Sequence, residues 1–118
     1  MSSGAIVRRE TSRSSGVFEL PESGAQAEYT VWRESGLSQL LLEIPHTFVP
    51  VQYRGQGLAA VVTKDAFDFA KKLDMLVIPT CSYVHETFLQ KYPELEKMCY
   101  FPKSRSKLSP AELPASSL

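Results

Sequence analysis

The sequence predicts an α+β domain built on a mainly antiparallel sheet. Two observations carry this. Up to residue 49 the chain reads as short β-rich runs separated by glycine-containing turns, and from Gly57 the apolar spacing switches to steps of three and four. With 118 residues, 43% of them apolar and 22% charged, the chain has room for one globular domain.

Ala5-Ile6-Val7 marks a first strand, and a polar turn cluster over 12–16 leads to a second at Val17-Phe18-Glu19-Leu20. After the Pro21-Glu22-Ser23-Gly24 turn, Ala27-Glu28-Tyr29-Thr30-Val31-Trp32-Arg33 alternates and is rich in aromatic and β-branched residues. Glu34-Ser35-Gly36 turns the chain into the apolar stretch 40–49. Strands so joined form an antiparallel meander. Pro45 cannot donate to a ladder, so a bulge or bend is expected there.

Leu58, Val62, Ala66, Phe69 and Leu73 predict one face of a helix running from Gly57 to Leu73, with Lys64, Asp68, Lys71 and Lys72 opposite. Met75-Leu76-Val77-Ile78 reads as a short buried strand ended by Pro79. Ser82 is placed to cap a second helix over 83–91, which Pro93 stops. Residues 98–101 offer a last short strand. The folded unit is expected to span 5–101. Residues 1–4 and 102–118 are expected to be solvated, the latter a polar tail with three prolines, five serines and few large apolar side chains.

Composition narrows the partners. The 13 basic and 13 acidic side chains cancel, but both ends are basic and residues 17–101 carry a net −4. That balance argues against nucleic acid, whose backbone selects clustered Lys and Arg. No apolar run approaches the ~20 residues of a membrane helix, and no secretory signal opens the chain. Cys81 and Cys99 are too few for a disulfide scaffold, so free thiols in the cytoplasm are expected, with the nucleus accessible by size. The ending Ser116-Ser117-Leu118 is a faint variant of a peroxisomal address.

Three segments can carry chemistry. Arg54-Gly55-Gln56-Gly57-Leu58-Ala59 stands between a strand and a helix. Glycines there let backbone N–H groups meet an anion at the positive end of the helix, and Arg54 adds a charged donor. A plain glycine turn accounts for the same six residues. Neither nucleotide fingerprint is met: Ala60 stands where a third glycine belongs, and no Gly-Lys-Ser or Gly-Lys-Thr occurs. Cys81 lies between a strand end and a helix start, where the helix favours thiolate, and His85 follows one turn later. It is either an activated nucleophile or acid–base group, or a small packed cysteine. His46 reads as a hydrogen-bonded histidine lining or supporting the site. The order His46, Cys81, His85, Cys99 lacks the paired spacing of zinc ligands, and no metal is expected.

Taken together, the Arg-Gly-Xaa-Gly-Leu-Ala turn, the preceding His46-Thr47-Phe48-Val49-Pro50 and the later Pro79-Thr80-Cys81-Ser82-Tyr83-Val84 resemble the small single-domain members of the GNAT superfamily of N-acetyltransferases. The similarity covers about 5–92. Pro45 departs from the pattern, and His85 lies outside it. The resemblance implies a minimal GNAT fold with two principal helices and a sheet splayed between the strands ending at Val49 and Ile78. It implies that the backbone of His46, Thr47, Phe48 and Val49 pairs with the pantetheine arm of acetyl-CoA, and that Arg54–Ala59 (with Gly55, Gln56, Gly57 and Leu58) cradles the pyrophosphate. Cys81 then occupies the candidate active-site position, and Tyr83, Thr87 and Phe88 flank the cofactor. The implied activity is acetyl transfer from acetyl-CoA to an amine on a protein, peptide or small molecule. The alternative is a non-catalytic CoA-binding sensor or adaptor.

Overall fold

Strands β1 (Val7–Glu10), β2 (Ser15–Leu20), β3 (Ala25–Glu34) and β4 (Leu41–Phe48) form the expected antiparallel meander in the computed structural model, which describes residues 5–114. Alternation along β3 sends Ala25, Ala27, Tyr29 and Val31 into the core and leaves Gln26, Glu28, Thr30 and Trp32 on the other face. The β3–β4 register slips between Glu28 and Thr30, where Glu28 faces His46 but Thr30 faces Glu43. One extra residue is thus inserted into β4 around Ile44 and Pro45, the bulge expected from the proline. β1 starts two residues later than the apolar run marked it, because an exposed edge strand needs no apolar stripe.

The helix α1 (Leu58–Lys72) packs on the core face, with Val62, Thr63, Ala66, Phe67 and Ala70 fully buried. This stripe is rotated from the expected one: Leu58, Phe69 and Leu73 are only half-buried. Small side chains at Ala66 and Ala70 let the helix approach the sheet, and Phe67 fills the space beside Phe88, ring centroids 5.3 Å apart. Asp74, at φ 57°, reverses the chain after α1. Its N–H donates to Lys71 O (3.1 Å) while Met75 N–H donates to Ala70 O (2.8 Å). This stop delivers β5 (Leu76–Ile78) parallel to β4. Thr63 Oγ1 is buried without a hydrogen-bond partner among the described residues. Thr63→Val keeps the shape and removes the orphaned hydroxyl, so it should raise stability by about 1 kcal/mol. Chemical denaturation reads this, and a lower midpoint contradicts it.

The second helix, α2, is π-helical over Tyr83–Phe88 and α-helical over Leu89–Lys91. Ser82 makes no side-chain capping bond; the helix opens instead with His85 N–H donating to Cys81 O at 3.0 Å. Residues 98–101 contribute a single parallel bridge, Val77 with Cys99, rather than a strand.

The larger correction concerns the expected tail. Residues 105–113 are part of the fold: a turn at Arg105–Lys107 leads to β6 (Leu108–Pro110), which pairs with Trp32, Arg33 and Glu34 of β3. Ala111 is buried and donates to Val31 O at 3.0 Å. Low hydrophobicity misleads here because this segment is held by a ladder and by charge. The ending Ser116-Ser117-Leu118 and residues 1–4 lie outside the described residues.

Candidate active site

Among the described residues β4 and β5 pair from Leu41 to Glu43, and Cys81 N–H donating to Ile44 O (2.9 Å) is the last backbone-to-backbone link that continues this pairing. Beyond it the two part. Residues 46–48 of β4 keep β3 on one side and, among the described residues, have no partner strand on the other. An unpaired strand edge of this kind accepts an extended, amide-bearing chain.

A cleft of about 460 Å³ opens along this edge. His46, Thr47, Phe48 and Val49 form one wall, and Arg54, Gly55, Gly57, Leu58 and Ala59 form its far end. Tyr83 lines it from α2. Among the described residues no carboxylate lines the cleft, whereas Arg54 and Lys91 both do. Gly55 and Gly57 have φ of 85° and 77°, a region that favours glycine. A Cβ at either would meet no protein atom within 4 Å, so it would project into open space. Gly57 is the N-cap of α1 and offers no side chain, leaving the first amides of a 15-residue helix free for an anion. Arg54 Nε donates to Val49 O at 2.9 Å, which ties the loop closed and leaves its two terminal nitrogens without a partner among the described residues. This end of the cleft therefore suits a phosphate group.

Cys81 does not itself line the cleft; its Sγ lies 3.5 Å from Oγ1 of the lining residue Thr47, where either atom can donate. Burial pushes the thiol pKa up, but hydrogen bonding from the Thr47 hydroxyl and from the backbone of Val84, Tyr83 and Thr47 outweighs it. The net result is a thiol below its ordinary value. Cys99 is the opposite case: burial, with the nearby Glu96 charge, pushes it up to about 11, and its Sγ donates to Leu95 O at 3.8 Å. The two cysteines are thus chemically opposite.

Several expected residues lie elsewhere. Phe88 is fully buried between Phe67 and Tyr92, and Thr87 is exposed; neither lines the cleft, because the π-turn rotates α2 and presents Tyr83 instead. Gln56 is exposed and also stands off the cleft. His46 does line the cleft, as expected, and is exposed at its rim. His85 reaches Cys81 only through its backbone; its ring stands edge-on to Phe101 with centroids 5.8 Å apart. Tyr53, Ala60 and Lys91 line the cleft without having been anticipated. Tyr53 and Ala60 flank the glycine turn and could be found by extending it; Lys91 comes from a distant helix end and carries no local signal. Among the described residues no three His, Cys, Asp or Glu side chains converge on a metal site. No helix there is long and apolar enough to cross a membrane.

The comparisons with known proteins agree with this geometry. The family model for GCN5-related N-acetyl-transferase matches residues 17–98. Protein NATD1 of Mus musculus is 30% identical over 95 residues, which cover 77% of this chain and 86% of that one. Protein NATD1 of Homo sapiens is 38% identical over 58 residues, covering 46% of this chain and 51% of that one. Among solved structures, the ribosomal-protein-alanine N-acetyltransferase of Brucella melitensis biovar Abortus 2308 superposes with a TM-score of 0.56 at 15% identity. That match covers 80% of this chain and 71% of the other, a likeness of fold. The meander, the splayed β4–β5 pair and the match over 17–98 place this chain in the GCN5-related N-acetyltransferase family.

Proposed function

We propose that the protein transfers an acetyl group from acetyl-CoA to an amine, with Cys81 as the catalytic residue. One observation carries the reading: the cleft runs from a helix N-terminus along the free edge of β4 to Thr47, whose hydroxyl lies 3.5 Å from a thiol held below its ordinary pKa. Acetyl-CoA, when bound, supplies an activated acetyl thioester and a pyrophosphate. The free amides of α1, Gly55, Gly57 and Arg54 suit the phosphates, with Lys91 as a further cation on the cleft wall. The edge at 46–49 orients an extended arm towards Cys81. Thr47 and the α2 backbone stabilise the Cys81 thiolate, which serves as a proton acceptor or as a nucleophile.

The test is an acetyl-transfer assay over peptides, polyamines and small amines, read by mass spectrometry. Transfer to at least one class, lost in Cys81→Ala, is expected. Tight CoA binding with no transfer to any acceptor contradicts the catalytic reading and identifies a CoA-binding module.

A further inference from the structure

The side chain of Glu43 is buried on β4, one residue before the inserted bulge, and the cleft does not use it. Its Oε1 accepts from Trp32 Nε1 at 2.8 Å and from Arg105 Nη2 at 2.9 Å, and its Oε2 accepts from the Thr80 hydroxyl. Thr80 is the residue before Cys81, whose own N–H is bound to Ile44 O. Residues 80 and 81 are therefore fastened to residues 43 and 44 by two adjacent bonds. A carboxylate so buried stays ionised only with a cation beside it. That cation comes from the C-terminal segment: Arg105 sits over the Trp32 ring, 5.8 Å from its centroid, and is carried there by β6 and by Ser35 N–H donating to Lys107 O at 3.2 Å.

We propose that Arg105 and Glu43 are positioning residues of the active site, through which the C-terminal strap holds Thr80 and hence sets the Cys81 thiol against Thr47 and the start of α2. The inference rests on Cys81 being the working thiol, but its test reads the thiol itself and not turnover. The groups that face this thiol are few: Thr47 from β4, and from α2 the Tyr83 phenol with the Tyr83 and Val84 amides. Loosening residue 80 withdraws the thiol from these donors and lets burial raise its pKa.

The experiment measures the rate of iodoacetamide alkylation of Cys81 against pH in the full chain, with the modified cysteine identified by peptide mapping. Arg105→Met and Thr80→Val should each slow the reaction at pH 7.5 by roughly three- to tenfold and move its midpoint upward. Arg105→Lys, which keeps the charge beside Glu43 but loses the flat guanidinium over Trp32, should recover part of the rate lost in Arg105→Met. CoA affinity, which depends on the distant glycine turn, should stay within about twofold in all three. Thr80 is exposed, so Thr80→Val keeps the test alive should Arg105→Met fail to fold. An unchanged alkylation profile in folded Thr80→Val or Arg105→Met overturns the proposal. Absence of acetyl transfer by the wild-type protein, with these shifts intact, would instead count against the catalytic reading alone.

Discussion

Cys81→Ala is expected to cut turnover by about 10²–10⁴-fold while leaving CoA affinity within about twofold. The separation follows from the layout. Phosphate recognition is assigned to the α1 end of the cleft, and Cys81 stands behind the wall formed by Thr47, 3.5 Å from its hydroxyl. Because the reactive form is the thiolate, wild-type turnover should rise with pH and level off at the thiol pKa. The Thr47 and α2 donors place that plateau below the ordinary thiol value. Cys81→Ser should not rescue, since a hydroxyl in the same donor set remains protonated at neutral pH. Near wild-type turnover in Cys81→Ala, measured under saturating acetyl-CoA, would remove this residue from the mechanism.

The second large effect is on binding. Gly57→Val puts a branched side chain at φ 77°, a conformation that costs roughly 1–2 kcal/mol, and aims it into the open cleft at the start of α1. CoA affinity should fall by about a hundredfold or more, on the order of 2.7 kcal/mol. Arg54→Ala should be milder, about ten- to hundredfold, for the loss of one charge-assisted contact. Pantetheine, which has no pyrophosphate, should bind wild type and Arg54→Ala almost equally. Calorimetry with both ligands on the three folded proteins checks the set. Unchanged CoA affinity in folded Gly57→Val would reduce Arg54–Ala59 to a plain turn.

What the sequence discloses about this molecule follows the range of the forces involved. Alternation in β3, the proline in β4 and the helical spacing after Gly57 are local, and each predicts its element. The bulge at Pro45 is legible because a missing N–H has a local consequence. The glycine turn and Cys81 are legible because helix termini impose their electrostatics on whatever residues stand there. The failures share the opposite character. Phe88 lies near a recognisable motif, but hydrogen bonding of the π-type changes the angular step of α2 and turns its ring into the core. The segment 105–113 looks like a tail because its retention depends on Glu43, a carboxylate 62 residues away, and on a ladder to β3. A charged residue inside the apolar stretch 40–49 was the signal for that contact: a buried acid demands a cation from elsewhere.

A crystal structure of the acetyl-CoA complex tests the central claim most directly. The account predicts pyrophosphate density against the amides of Gly57 to Ala59, the pantetheine arm along residues 46–49, and the thioester about 3.5 Å from Cys81 Sγ. A thioester lying on the far side of β4, out of reach of Cys81 and with α1 free of phosphate, would contradict it.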